Sequence, residues 1–216
     1  MNKLPKPYQR DEEIANAITH GIGTLLAIAG LAILVVHAAL FSPNGQTGYY
    51  IAALSVFGAS MVFLYLTSTL YHSLLTTKAY PVFERLDHSA IYVLIAGTYT
   101  AYCLTALRGT VGWWIFALIW SLAALGITLY AIFGSKLRVI SVFTYVVMGW
   151  IIVLAAKPLQ ETISNQSWVL LLVGGVVYTV GAGVYALRKI RWSHPVWHLF
   201  VMGGTALHFF SVLYSF

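Results

Sequence analysis

Seven long apolar stretches, separated by short polar loops, make up most of this 216-residue chain. A helix needs about 20 apolar residues to cross the hydrocarbon core of a bilayer, and each stretch is close to that length or exceeds it. The stretches are continuous rather than alternating, which excludes a transmembrane β-barrel. The sequence therefore predicts an all-α integral membrane protein, a bundle of seven transmembrane helices at residues 14–41, 49–75, 88–107, 111–133, 139–156, 168–187 and 195–214.

The composition agrees with a membrane location. Hydrophobic residues make up 60% of the chain and charged residues only 8%, whereas about a quarter of the residues of a soluble domain are charged. An ordinary soluble enzyme is thereby excluded. The predicted organisation is a cytoplasmic N-terminal tail, residues 1–13, followed by a single transmembrane domain, residues 14–216. The one cysteine, Cys103, excludes an internal disulfide and a cysteine-based metal site.

The basic residues predict the orientation. Arg108 and Lys157 are alone in the loops on one side of the predicted bundle. Because cytoplasmic loops carry an excess of Lys and Arg, the N-terminus is predicted in the cytoplasm and the C-terminus outside. The net charge of +6 thus reflects topology, and no nucleic-acid partner is expected. The basic residues predicted on the cytoplasmic side are Lys3, Lys6, Arg10, Lys78, Arg85, Lys136, Arg138, Arg188, Lys189 and Arg191.

Three histidines form the main functional candidate, because ionisable residues inside a membrane are costly. His194 and His198 are spaced i, i+4, which places both imidazoles on one helix face, as in helical zinc sites. His72 lies near the cytoplasmic end of the second span, at a matching depth. We predict that these three bind Zn²⁺ and leave a coordination position open, as in catalytic sites. The alternative is three membrane histidines that hydrogen-bond to carbonyls or hydroxyls.

Two further residues are candidate catalytic groups. Ser68 lies one turn from His72 on the same face, and its hydroxyl could bond a water on the metal or a substrate carbonyl. Asp87, at the predicted start of the third span, could accept a proton. The alternative for Ser68 is a hydrogen bond to a carbonyl of its own helix. For Asp87 the alternatives are a favourable interaction with the helix dipole or an ion pair with Arg85.

Glu13, Asn16 and His20 share one face of the first span, at spacing i, i+3, i+7. The functional interpretation is a hydrogen-bonding network that orients the histidine ligands. The alternative is an acidic residue placed in the first helical turn together with one histidine at the membrane interface.

These residues form three motifs by which the chain resembles the hemolysin III family, within the progestin and adipoQ receptor superfamily. The motifs are Glu13-x-x-Asn16-x-x-x-His20, Ser68-x-x-x-His72 followed by Asp87, and His194-x-x-x-His198. The resemblance implies a seven-helix bundle with a cytoplasmic N-terminus, in which the matching histidines bind zinc and the serine and aspartate approach it through water. The related ceramidases suggest lipid amide hydrolysis, and the bacterial members suggest membrane homeostasis in the plasma membrane.

Two functions remain open on this basis. One is a zinc-dependent hydrolase whose substrate is a membrane lipid with an acyl-amide bond. The other is a lipid sensor without catalysis, in which zinc is structural. A pore-forming hemolysin is disfavoured, because a channel needs polar residues along whole segments and here they cluster at one end.

Overall fold

The computed structural model describes residues 9–187 and 190–216, and these residues form an all-helical protein. Among the basic residues used above, Lys3, Lys6, Arg188 and Lys189 lie outside the described residues. Two short 3₁₀ segments, Gly134–Leu137 and Ile151–Ala155, stand on either side of the fifth helix. The α-helices are α1 (Arg10–Phe41), α2 (Thr47–Ser73), α3 (Tyr80–Cys103), α4 (Thr110–Phe133), α5 (Arg138–Trp150), α6 (Ala156–Thr162), α7 (Asn165–Ala186) and α8 (Ser193–Leu213).

Within residues 9–187 and 190–216, five helical stretches are long and apolar enough to cross a membrane. They are α1, α2, α7, α8 and the nearly continuous run Thr110–Thr162, which contains α4, α5 and α6. The protein is therefore a multi-pass helical membrane protein by length and composition. The difference from the seven predicted spans has two sources, the merging of residues 110–162 into one run and the polar character of α3.

α3 is too polar to be recognised as a membrane span from its composition, and its packing explains why it can carry polar residues. Its first turns carry Glu84, Arg85 and Asp87, and it begins at Tyr80, eight residues before the predicted span. From His88 onward most of its residues are buried against other helices. Polar residues of a membrane helix are tolerated where they face the interior of the bundle.

α1 begins four residues earlier than the predicted span, because its first turn is capped. The side chain of Gln9 accepts from the backbone N–H of Glu12, and the Glu12 side chain accepts the Gln9 N–H at 3.0 Å. This reciprocal capping box satisfies two N–H groups that a helix start would otherwise leave unpaired. Residues 10–13 of the predicted tail are therefore helical.

The order of packing brings distant parts of the chain together at one end of the bundle. α1 packs on α2, α2 on α3, α3 on α4 and α7 on α8, and α8 also contacts α1. The starts of α1, α3 and α8 and the end of α2 consequently meet. We call this region the site end of the bundle. On the outer surface of the bundle, large apolar side chains such as Leu25, Leu26 and Ile28 of α1 are exposed, which suits a surface that faces lipid.

A close approach of α1 to α2 requires a glycine. A Cβ atom on Gly58 would lie 2.9 Å from the Cα of Leu31. Small residues allow such close contact between membrane helices.

Replacing Gly58 by alanine is expected to separate α1 from α2 and to destabilise the bundle by about 1–3 kcal/mol, the usual cost of overpacking. The measurement is thermal unfolding of the detergent-purified protein. Gly183→Ala in α7 is the matched control, because no atom of the described residues lies within 4 Å of a Cβ built there. Equal melting temperatures for the two variants would contradict the prediction.

Candidate metal centre

Three buried histidines meet at the site end with their Nε2 atoms towards one another. Nε2 of His194 lies 3.2 Å from Nε2 of His72 and 3.1 Å from Nε2 of His198. One ligand atom from each of the three falls within 4.8 Å of the others. His194 and His198 stand one turn apart on α8, whereas His72 comes from the last turn of α2. The structure thus brings together the three histidines that the spacing singles out.

The outer nitrogens of two of these rings are held by α1. Nδ1 of His72 lies 2.5 Å from Oε2 of Glu13, and Nδ2 of Asn16 is 3.4 Å from the same nitrogen. Nδ1 of His198 lies 3.1 Å from Oγ1 of Thr19. When a carboxylate or hydroxyl oxygen accepts the Nδ1 proton, the lone pair of a neutral imidazole is left on Nε2. Both rings are therefore arranged to offer Nε2 to a ligand at the common point.

His20 supports the site by packing. Its ring stacks on that of His198, with centroids 3.5 Å apart and an interplanar angle of 8°, and it meets the edge of Tyr65 at 5.1 Å. His20 is 3% exposed, so it is a buried residue rather than a histidine at the membrane interface. Its stacking on His198 restricts the rotation of that ring.

Ser68 and Asp87 line a small cavity beside the histidines. The cavity has a volume of about 30 Å³, and His194 and His198 form part of its wall. Such a volume holds one or two water molecules. The Oγ atom of Ser68 is buried and has no hydrogen-bond partner among the described residues, so the alternative of a bond to its own helix is not observed.

Asp87 does not stand at the start of its helix. α3 begins at Tyr80, so Asp87 lies beyond the first turn. The interaction with the helix dipole is strongest within the first turn. Its carboxylate Oδ2 lies 3.5 Å from Nδ1 of the neighbouring His88. His88 is itself part of the cavity wall, and its carbonyl accepts a hydrogen bond of 2.8 Å from the hydroxyl of Tyr145.

Comparison with known proteins agrees with this arrangement. Residues 8–209 match the family described as Haemolysin-III related. The chain belongs to this family. It is 49% identical to Hemolysin-3 of Bacillus cereus over 203 residues, which cover 94% of this chain and 91% of the relative. It is 47% identical to a Hemolysin-3 homolog of Bacillus subtilis (strain 168), over 94% of this chain and 93% of that protein.

A more distant relative extends the relationship beyond bacteria. The human monocyte to macrophage differentiation factor is 27% identical over 211 residues, which cover 93% of this chain and 83% of that protein. The resemblance drawn from the three motifs is therefore confirmed, both for the hemolysin III family and for the wider superfamily.

The sequence of this haemolysin-III-related chain did not reveal the roles of two residues of the site. Thr19 holds the ring of His198, and its position three residues after Asn16 on the same face was a signal that could have revealed it. Glu12 is buried, 4% exposed, and its Oε1 accepts the backbone N–H of Trp192 at 2.6 Å. Nothing in the sequence points to that contact, because the two residues are 180 positions apart.

The donor set fits a metal ion. Metal-ligating histidines commonly donate their second ring N–H to a carboxylate or another oxygen, which orients the ring and raises its basicity. Glu13 and Thr19 occupy those positions for His72 and His198. The Ser68 hydroxyl has no hydrogen-bond partner in the described part of the chain, and Ser68 lines a cavity whose wall includes His194 and His198. The three buried histidines could thus bind a metal while the cavity stays open to a small ligand.

Proposed function

We propose that this protein is a zinc-dependent hydrolase that cleaves acyl-amide bonds of membrane lipids in the bacterial plasma membrane and so serves membrane lipid homeostasis. The observation that carries the proposal is the convergence of His72, His194 and His198 on a cavity that also contains Ser68 and Asp87. Zinc is the metal proposed, because three imidazoles with an open fourth position are a common catalytic zinc set. When bound, it would supply a Lewis acid that polarises a carbonyl and activates water.

The proposal includes a bundle of seven spans. Gly134, with φ of +56°, ends α4 and divides the run of residues 110–162 into two passes. α3 is counted as a span because its 24 residues are long enough to cross and are shielded by other helices.

The proposed orientation has the N-terminus and the site end in the cytoplasm and the C-terminus outside. Arg138 pairs with Glu84 of α3 at 2.9 Å, which joins the α4–α5 connection to the start of α3. Basic residues at the site end would face the cytoplasm under the positive-inside rule. The described residues that support this are Arg10, Lys78, Arg85, Lys136, Arg138 and Arg191.

The chain's own residues have distinct roles in this scheme. The Ser68 hydroxyl, which lacks a partner among the described residues, is free to donate to the substrate carbonyl oxygen as negative charge develops there. The Asp87 carboxylate accepts the proton of the attacking water and returns it to the leaving amine. Burial of the three histidines excludes bulk water from the reacting bond.

An apolar cavity beside the site supports a lipid substrate. It lies between α3, α5, α7 and α8 and has a volume of about 110 Å³. Four residues belong to the walls of both cavities, so an acyl chain in the larger one would place its carbonyl end at the smaller one. These residues are Ile91, Val142, Tyr145 and Trp197.

The test combines metal analysis with turnover. Purified protein is expected to contain about one zinc per chain and to release fatty acid from N-acyl lipids in mixed micelles. Zinc without turnover, together with a coordination sphere that lacks exchangeable water, would instead establish a non-catalytic lipid sensor with structural zinc. Conductance of the protein in planar bilayers would contradict both and favour a pore.

Glu13→Gln is expected to weaken zinc binding about 10–100-fold, the usual cost of losing the partner of a ligating histidine. The charged acceptor of the His72 Nδ1 proton is lost while the shape of the side chain is kept. Competition with a chromogenic chelator measures the affinity. Glu161→Gln, at an exposed position of α6, is the control, and the prediction fails if both variants bind zinc as the wild type does.

A further inference from the structure

The first turn of α1 carries three consecutive carboxylates that contact three different partners at the site end. Glu13 contacts the His72 ring on α2 at 2.5 Å. Its neighbour Glu12 accepts the Trp192 N–H at the start of α8 at 2.6 Å. Asp11 pairs with Arg191, and both of these side chains are about half exposed. Glu13 and Glu12, which are adjacent on α1, therefore contact the candidate ligand His72 on α2 and the residue that precedes α8, the helix that carries the other two candidate ligands.

Trp192 has an unusual backbone. Its φ of +66° is in the left-handed region, where a residue with a side chain is strained, and it is the only non-glycine residue with positive φ in the described ranges 9–187 and 190–216. α8 begins at the next residue, Ser193, and His194 follows directly. The conformation of Trp192 thus sets the direction in which α8 starts.

Glu12 stabilises this conformation of Trp192 by a hydrogen bond. Its side chain is buried, and a buried carboxylate is costly unless it is paired. One oxygen, Oε2, accepts the Gln9 N–H and completes the capping box, whereas Oε1 accepts from Trp192 alone among the described contacts. Hydrogen bonds to an ionised acceptor are among the stronger ones in proteins. Capping of α1 therefore uses only Oε2 of Glu12, and Oε1 is available to bind the backbone at the start of α8.

We propose that Glu12 is a positioning residue for the α8 ligands. It holds Trp192 in the left-handed region and thereby sets the start of α8, so that His194 and His198 face His72 at the distances observed. This assignment rests on the proposed zinc site, since its purpose is to place the ligands of that site. Together with Glu13, it makes the first turn of α1 the common support of both ligand-bearing helices.

The first experiment measures zinc affinity by chelator competition. Glu12→Ala is expected to bind zinc about 10–100-fold more weakly than the wild type, as for other outer partners of metal ligands. The double variant Glu12→Ala with Trp192→Gly is expected to recover most of that loss, because glycine adopts positive φ without help from a hydrogen bond. Loss of the α1 cap alone would not be rescued by glycine at position 192. Glu161→Ala serves as the control for removal of a carboxylate.

A second experiment needs no metal. Trypsin cleavage after Arg191 is followed in metal-free protein by mass spectrometry of the fragment that begins at position 192. Glu12→Ala is expected to be cleaved faster than the wild type, and the double variant is expected to be cleaved at a rate near that of the wild type.

The two experiments separate the possible failures. Wild-type protein that binds no zinc would refute the proposed function, and the cleavage rates would then decide alone whether Glu12 holds the start of α8. Wild-type protein that binds zinc, with unchanged affinity and cleavage in Glu12→Ala, would overturn the positioning role and leave the metal site intact. An unrescued loss in the double variant would also overturn it.

Discussion

Replacement of either His72 or His198 by alanine is expected to lower the zinc content from about one per chain to near zero. A catalytic-type site has only three protein ligands, so the loss of one leaves too few donors to retain the ion against a chelator. The two histidines come from different helices, α2 and α8, so each variant removes a ligand from a separate part of the bundle. Metal analysis of the purified, folded variants measures the effect.

A histidine elsewhere in the bundle provides the control. His37 of α1 contacts Phe41 and Phe216 and takes no part in the cluster. His37→Ala is therefore expected to keep the zinc of the wild type. Retention of zinc by His72→Ala or His198→Ala would show that the metal is bound elsewhere.

Asp87→Asn is expected to keep the zinc and to lose about 10²–10⁴-fold in the rate of amide hydrolysis, the range for removal of a general acid–base. The asparagine side chain occupies the same space in the cavity wall but cannot take up a proton. Ser68→Ala is expected to reduce the rate about 10²–10³-fold, because a single donor to the developing oxyanion is removed. Steady-state kinetics beside metal analysis separates these effects from loss of the ion.

Thr69→Ala is a suitable control for the serine variant. Thr69 is the next residue on α2, and its hydroxyl donates to the Tyr65 carbonyl of its own helix at 2.7 Å. Its removal is expected to leave turnover nearly unchanged. If Asp87→Asn or Ser68→Ala hydrolyses the lipid at the wild-type rate, that residue has no part in the chemistry.

The residues of the candidate site were accessible to sequence reasoning because their spacing follows the helical period. His194 and His198 recur at i, i+4, and Glu13, Asn16 and His20 at i, i+3, i+7, so each group lies on one face of its helix in any fold that keeps the helix. The depth of His72 follows from its distance to the end of an apolar segment. These are local properties, and local order along a membrane helix is imposed by the need to satisfy the backbone within the helix.

Other features depended on packing between distant segments. The composition of α3 does not explain why a membrane helix can carry so many polar residues, because the explanation is the packing of other helices around it. The sequence equally does not show the cavity next to the histidines, the hydrogen bond from Trp192 to Glu12, or that the Ser68 hydroxyl lacks a partner among the residues the structure describes. Each depends on how neighbouring helices approach and rotate about their axes.

The apolar pattern and the spacing of the polar residues were thus sufficient for a helical membrane protein, for its family and for the identity of three histidines that could bind a metal. The distances between those histidines, the partners of their outer nitrogens and the strained entry to α8 were decided by tertiary packing. The physical reason is that hydropathy and helical periodicity act within a segment, whereas a candidate metal centre with residues from α1, α2, α3 and α8 forms only where the ends of those helices meet.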